Sequence, residues 1–146
     1  MRRVAAIAYA REGADVAINY YPTEEPNGQE VIALIQAEGW KVVAIPGNIT
    51  DEAFCRQLIA ETVHELGGLD ILVSNAAYQQ THESILEISF EDLDRTVKTN
   101  IYSPFRIIKA ALTHLPPSTV IIATTSEQAT TPLNLKNFYK ISITKY

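Results

Sequence analysis

Short apolar segments rich in β-branched residues alternate along this chain with longer segments whose apolar side chains repeat at helical spacing. The short segments lie at 15–20, 41–45, 69–73 and 119–124, and we predict that each forms a strand. Their apolar residues are nearly continuous, so we expect strands covered on both faces, as in parallel sheets. Strands that alternate with helices favour right-handed crossovers. The sequence therefore predicts an α/β fold with a doubly wound parallel sheet.

Helices are predicted before and between these strands. They are expected, in chain order, at 4–10, 31–38, 50–66 and 89–112. The first is apolar on nearly every side and ends at Gly13, so we predict a buried helix. An irregular loop is expected at 21–28, which holds two prolines and a glycine. Ser89 and Asp92 match a capping box, and Pro104 is expected to kink the last helix.

The composition excludes several classes of function. A net charge of -5 at pH 7 argues against nucleic-acid binding, which needs clustered Lys and Arg. Cys55 is the single cysteine and no signal-peptide core follows Met1, so we expect a cytoplasmic protein in which Cys55 is a packing residue. The apolar runs are far shorter than the roughly 20 residues that cross a bilayer, so no membrane partner is predicted. The three histidines lack metal-ligand spacing, which predicts no metal site.

Candidate functional residues follow the ends of two predicted strands. Ligands of such sheets bind outside the carboxyl ends of the strands. Ser74-Asn75-Ala76-Ala77 follows the third strand, where small side chains permit close approach of a flat ligand, although a tight turn explains them equally well. Ser126 follows the fourth strand, Tyr139 lies thirteen residues further on, and Asn100 lies within the long helix. A hydroxyl, a tyrosine and an amide together can hold a carbonyl oxygen and pass it a proton.

Several of these motifs occur together in the classical short-chain dehydrogenases. The likeness rests on the segment 67–77, on Lys98-Thr99-Asn100, and on 121–126 followed by Tyr139. The chain resembles most the bacterial subgroup of glucose-dehydrogenase-like and aldehyde-reductase-like enzymes. This resemblance implies reversible hydride transfer between an alcohol or carbonyl substrate and NAD or NADP. It also implies that Tyr139 is the acid/base, that Ser126 orients the substrate oxygen, and that Asn100 helps to hold a water in the proton relay.

The resemblance also implies which residues lie beside the cofactor. Asn75, Ala76 and Ala77 correspond to the family's Asn-Asn-Ala-Gly element, which steadies the central sheet next to the cofactor. Asn48 falls where the family often has an aspartate that contacts adenine, and Asn19 falls where the cofactor ribose is recognised. Asn19 supplies neither an acid for a free 2′-hydroxyl nor a base for a 2′-phosphate. The choice between NAD and NADP therefore stays open.

The chain departs from the family pattern in two places. It starts inside the helix that follows the family's glycine-rich turn, so we expect residues 1–146 to form a single, incomplete NAD(P)-binding domain without the first strand. Ile143 stands where the family has a lysine that lowers the tyrosine pKa, and neither Lys140 nor Lys145 lies one helical turn from Tyr139. Weak or absent cofactor binding and impaired catalysis are therefore expected.

Two hypotheses about function follow. The first is an NAD(P)-dependent oxidoreductase, as the motifs indicate. The second is a non-catalytic fragment that is inert or binds a full-length relative through its helices, as the two departures indicate. We also expect a homo-oligomer formed through the long helix, and a chain that associates or stays loose because the strands at 15–20 and 69–73 lack a shared neighbour.

Overall fold

The computed structural model describes residues 2–124. Helices and strands alternate as predicted, with two short 3-10 turns at Pro22–Glu24 and Ile85–Glu87 and one π-helical turn at Lys98–Tyr102. The regular elements are α1 (Arg2–Arg11), β1 (Val16–Ile18), α2 (Glu25–Ala37), β2 (Val42–Ala44), α3 (Glu52–Leu66), β3 (Ile71–Ser74), α4 (Phe90–Val97), α5 (Ser103–Ala111) and β4 (Val120–Ala123). Among these described helices, none is long and apolar enough to cross a membrane.

The four strands form two parallel pairs. β1 pairs with β2, with Val16 opposite Val42, and β3 pairs with β4, with Ile71 opposite Val120. Within residues 2–124, no strand joins β1 to β3, so each of these two strands has one edge without a hydrogen-bonded neighbour. The predicted α/β fold with a partial doubly wound parallel sheet is thus confirmed.

The core is organised around α3. Asp51 caps its first turn, where the Asp51 carboxylate accepts from the backbone N–H of Ala53 at 2.8 Å, and Gly67 ends it in the left-handed region at φ +78°. α3 packs on α5 and also contacts β1 and β2. Its buried residues join a single cluster, which comprises Ile45, Cys55, Leu58, Ile59, Leu72, Ile107 and Ala111. Each fully buried Leu or Ile contributes about 1.5–3 kcal/mol, so this cluster holds α3 against α5 and the neighbouring strands.

The prediction of a buried first helix is wrong. Val4 is 69% exposed, whereas Ala10 is fully buried. In the described part of the chain α1 packs on α2 and β1, which cover one side only. Because alanine is small and apolar, an alanine-rich helix has no distinct polar face, and the pattern does not show which of its sides pack against other elements. β1 is likewise shorter and less buried than the continuous apolar run predicted, since Val16–Ile18 is only half-buried.

The loop predicted at 21–28 is also partly wrong, because α2 begins at Glu25. Pro26 lies in the first turn of α2, where the missing N–H of a proline has no helical partner to lose. Gly28 is buried within the helix, and a Cβ at this position would lie 2.6 Å from the ring of Tyr20. Glycine therefore serves close packing here, not a turn.

A π-helical turn interrupts the long helix directly before the proline that the sequence predicts to kink it. Ser89 caps α4, since its hydroxyl oxygen accepts from the N–H of Asp92 at 3.0 Å, which confirms the predicted cap. Pro104 has no N–H to donate to the carbonyl four residues earlier. Directly before it, the N–H of Ser103 donates to the carbonyl of Lys98, five residues back. The π-helical turn thus lies next to the predicted proline and carries Asn100.

Candidate functional site

Asn19 follows β1 and connects the ends of the first pair of strands. Its Nδ2 donates to the carbonyl of Ile45 at 2.8 Å and to that of Gly47 at 3.3 Å. An amide nitrogen has two hydrogens, and both are directed at these carbonyls. Asn19 lies at the strand end where the sequence placed it, but its nitrogen braces β1 against the end of β2, a role that the sequence pattern did not predict.

Tyr20, the residue after Asn19, lies beside one carboxylate, that of Glu25. Burial, and then the hydrogen bond with Glu25, raise the pKa of the neighbouring Tyr20. The Glu25 carboxylate in turn accepts from Gln29 at 2.7 Å. The described contacts beside Asn19 therefore bring a carboxylate to the end of β1.

Asn48 shapes the loop between β2 and α3, which we call the 45–51 loop. Its Oδ1 accepts from the N–H of Thr50 at 3.0 Å and from the Thr50 hydroxyl at 2.9 Å. Gly47 precedes it, and a Cβ there would lie 2.1 Å from the ring of Phe54, so only glycine lets the loop lie this close to α3. These contacts fix the conformation of the loop, in which Asn48 lies three residues before Asp51, the N-cap of α3.

Cys55 packs beneath the same loop. The side chain is fully buried, and its thiol donates to the carbonyl of Ile49 at 3.0 Å. Burial raises the pKa of the Cys55 thiol, which disfavours the reactive thiolate. These contacts support the interpretation of Cys55 as a packing residue.

Asn75 connects the ends of the second pair of strands. Its Oδ1 accepts a short hydrogen bond from the hydroxyl of Thr124, and the N–H of Thr124 donates to the carbonyl of Ser74 at 3.1 Å. Ala76 is half-buried and Ala77 is exposed. Asn75 thus connects the ends of β3 and β4, and Ala77 presents only a small side chain at this edge of the sheet.

Asn100 is paired with the loop that follows Ala77. Its Oδ1 accepts from the N–H of Tyr78 at 2.8 Å, and its Nδ2 donates to the carbonyl of the same residue at 2.9 Å. The guanidinium of Arg95 lies 4.2 Å from the centroid of the Tyr78 ring. These contacts hold Tyr78 between the loop after β3 and the long helix.

The predicted site residues therefore form two groups. Asn19 and Asn48 meet through the 45–51 loop, and Asn75, Ala76, Ala77 and Asn100 meet through the loop at Tyr78. Ser126 and Tyr139 lie outside the described residues, as do Lys140, Ile143 and Lys145. Across residues 2–124, no group of three or more His, Cys, Asp or Glu side chains is placed to hold a metal ion. An open groove of about 360 Å³ beside α1 contains none of the candidate residues.

Known proteins are similar to this chain both in sequence and in fold. Residues 3–143 match a family model described as enoyl-(acyl carrier protein) reductase. The uncharacterized oxidoreductase YhxD of Bacillus subtilis is 51% identical over 130 residues, which cover 89% of this chain and 44% of YhxD. The chloroplastic NADPH-dependent aldehyde reductase 1 of Arabidopsis thaliana is 33% identical over 132 residues, which cover 87% of this chain and 46% of that protein. The chain spans less than half the length of these curated relatives.

Solved structures of short-chain dehydrogenases are similar to this chain in fold. A short-chain dehydrogenase from Burkholderia cenocepacia, crystallised in complex with NADP, matches with a TM-score of 0.82 and 35% sequence identity. The match covers 88% of this chain and 52% of that structure. The partial sheet is thus one part of a larger known architecture.

Proposed function

The chain belongs to the short-chain dehydrogenase/reductase family, and we propose that its site derives from one for reversible hydride transfer between NAD or NADP and a small alcohol or carbonyl substrate. The observation that carries the proposal is the pairing of Asn100 with Tyr78, which fixes the loop after Asn75-Ala76-Ala77 against the long helix. This is the edge of a parallel sheet at which such cofactors bind.

The proton chemistry is assigned by family resemblance. When bound, the nicotinamide cofactor gives or takes the hydride. Tyr139 would donate or remove the proton, and Ser126 would orient the substrate oxygen. Both polar atoms of the Asn100 side chain are hydrogen-bonded to Tyr78. The group of Asn100 that would bind a water of the proton relay is therefore its backbone carbonyl. Pro104 has no N–H to donate to that carbonyl, which supports a role in accepting from water.

The described residues fit the cofactor only in part. Asn19, Asn48, Ala76 and Ala77 lie at the strand ends, where the resemblance places the ribose, the adenine and the sheet next to the cofactor. The pyrophosphate needs backbone N–H groups at a helix N-terminus or a free cation. Arg3 is not free, because its guanidinium donates to both carboxylate oxygens of Glu30, at 2.7 and 2.5 Å. We therefore propose weak or absent binding of NAD and NADP by this chain.

The substrate class rests on the relatives. The Arabidopsis relative is named an aldehyde reductase, and the pair of Ser126 and Tyr139 suits any carbonyl oxygen. A small aldehyde, ketone or sugar alcohol fits that chemistry. We also propose that catalysis by the 146-residue chain is impaired, since Ile143 stands where the resemblance implies a lysine that assists Tyr139.

A second candidate is a non-catalytic fragment that associates through exposed apolar surface. Leu86 is 92% exposed and Phe90 is 90% exposed at the start of α4, and Phe105 and Leu112 are exposed further along the long helix. Contiguous apolar patches mark surfaces for association, and we infer that these exposed side chains take part in one. We propose a second copy or a full-length relative as the partner. A cytoplasmic location stays a prediction, as does the absence of nucleic-acid and membrane partners.

A chimera tests the proposed site. The first strand and glycine-rich turn of a family member are fused ahead of Arg3, and binding of NAD and NADP is measured by calorimetry. We expect the chimera to bind a cofactor and the 146-residue chain not to. The matched control is the same chimera with the turn glycines changed to valine, which should lose binding. A folded chimera without affinity for either cofactor would contradict the proposed site.

A further inference from the structure

The 45–51 loop is held from outside by the long helix. Two consecutive carbonyls of the loop, those of Ile49 and Thr50, each accept a side-chain hydrogen bond from α5. The donors are the hydroxyl of Ser103 and the Nη1 of Arg106, which lie on the same face of α5, three residues apart. Neither donor belongs to the motifs that the sequence pattern singled out.

Ser103 connects the loop to the π-helical turn. It is fully buried, and its Oγ lies 2.7 Å from the carbonyl oxygen of Ile49 and 2.7 Å from that of Lys98. A hydroxyl has one hydrogen and can donate to one of them at a time. The Lys98 carbonyl also accepts from the backbone N–H of Ser103, whereas the other donor to the Ile49 carbonyl is the Cys55 thiol. A thiol is a weaker donor than a backbone N–H, so the Ile49 carbonyl gains more from the Ser103 hydroxyl. This contact joins the loop to the turn that carries Asn100.

Arg106 adds a second contact on the same side. Its Nη1 donates to the carbonyl of Thr50 at 2.9 Å, and its Nε lies 3.6 Å from a carboxylate oxygen of Glu52 at the start of α3. A charged donor strengthens the hydrogen bond to a carbonyl. Arg106 thereby holds the end of the 45–51 loop and the first residue of α3 together.

We propose that Ser103 and Arg106 are positioning residues, which couple the 45–51 loop carrying Asn48 to the π-helical turn carrying Asn100. Their hydrogen bonds fix the distance between the two groups of site residues, although the two groups lie on different pairs of strands. The consequence for a cofactor rests on the proposed function, whereas the coupling itself is a property of this chain. We therefore expect that loss of the Ser103 hydroxyl makes the 45–51 loop and the loop at Tyr78 open more often, both together.

Residue-resolved amide hydrogen exchange on the intact 146-residue chain tests the coupling. The informative amides are those of Thr50 and Asp51, which donate within the loop, and that of Tyr78, which donates to Asn100. We expect Ser103→Ala to speed exchange at all three by roughly fivefold to tenfold, the loss that corresponds to one buried hydrogen bond. Arg106→Met should speed exchange at Thr50 and Asp51.

The matched control is Thr62→Val. Thr62 also carries a buried hydroxyl, but it donates to the carbonyl of Leu58 within α3, at 2.7 Å, and does not reach the loop. Thr62→Val should leave exchange at Thr50, Asp51 and Tyr78 unchanged. Equal effects of the two substitutions, an effect of Ser103→Ala spread evenly over the core, or wild-type amides at these positions that exchange as in an unfolded chain would each overturn the coupling. Cofactor titration of the chimera is independent of these outcomes, so failure of the proposed function would be seen separately.

Discussion

Asn100 and Tyr78, 22 residues apart in the chain, are joined by two hydrogen bonds of 2.8 and 2.9 Å between one side-chain amide and one backbone peptide group. The pair fastens the loop after β3 to the π-helical turn of the long helix. Asn100, to which the family resemblance assigns a place in a proton relay, thus also stabilises the fold by joining the loop to the long helix. Its substitution should affect stability even where no catalysis takes place.

Asn100→Ala is expected to lower the free energy of unfolding by about 1–3 kcal/mol, because it leaves the N–H and C=O of Tyr78 without their partners. Urea denaturation followed by circular dichroism measures this change. Asn27→Ala is the matched control, because the Asn27 amide donates only to the exposed Glu24 carboxylate. Equal midpoints for wild type and Asn100→Ala would show that the tie contributes nothing.

Cofactor binding by the 146-residue chain should be weak or undetectable. The pyrophosphate normally depends on N–H groups at a helix N-terminus, and the Arg3 charge is already paired with Glu30. Calorimetric titration with NAD and with NADP checks the expectation. Micromolar affinity for either cofactor would contradict it.

No turnover is expected on sugars, polyols or simple aldehydes. Ile143 stands four residues after Tyr139, where the family resemblance implies a lysine that lowers the tyrosine pKa towards the working pH. The absorbance of the reduced cofactor at saturating concentration reports turnover directly. Activity that disappears in Tyr139→Phe would prove this prediction wrong, whereas activity that survives the substitution would point to a contaminant.

The stability of the chain should fall as the pH rises above about 9, the ordinary pKa of a thiol. Burial raises the pKa of Cys55 in the folded state, so the unfolded chain loses the thiol proton first. The stabilisation is complete below the unfolded pKa and is lost as the pH rises through the folded one. Urea denaturation between pH 7 and 10 should show a steeper decline for wild type than for Cys55→Ala, and parallel curves would exclude Cys55 as the cause.

Local sequence patterns predicted most of the elements. The Asp51 cap, the Gly67 stop and the cap at Ser89 depend on a few neighbouring residues, so their positions could be derived from the sequence. The early start of α2 at Glu25 could not, because Pro26 breaks a helix in its interior but is tolerated in its first turn.

The contacts of the candidate site were harder to predict. Asn19, Asn48, Asn75 and Asn100 lie where the motifs placed them, but their hydrogen-bond partners did not follow from the sequence. Ser103 donates to Ile49, 54 residues earlier, and the pairing of a side chain with a distant backbone carbonyl leaves no trace in residue type or spacing. Such contacts depend on how α3, α5 and the loops pack.

Within residues 2–124, β1 and β3 each have an edge without a hydrogen-bonded neighbour, and from these edges we predict that the 146-residue chain, made alone, leaves its sheet unsatisfied. Each buried backbone group left without a partner costs on the order of 1–3 kcal/mol, against a net stability of about 5–15 kcal/mol for a whole domain. Open apolar edges pair with other chains instead, and the exposed Leu86 and Phe90 add further apolar surface.

Size-exclusion chromatography with light scattering, combined with a denaturant melt, tests this claim most directly. We expect a concentration-dependent mass above the 16.2 kDa of one chain, together with a broad unfolding transition. A monodisperse monomer with one sharp, cooperative transition would contradict it and would show that the chain is a minimal, self-sufficient domain.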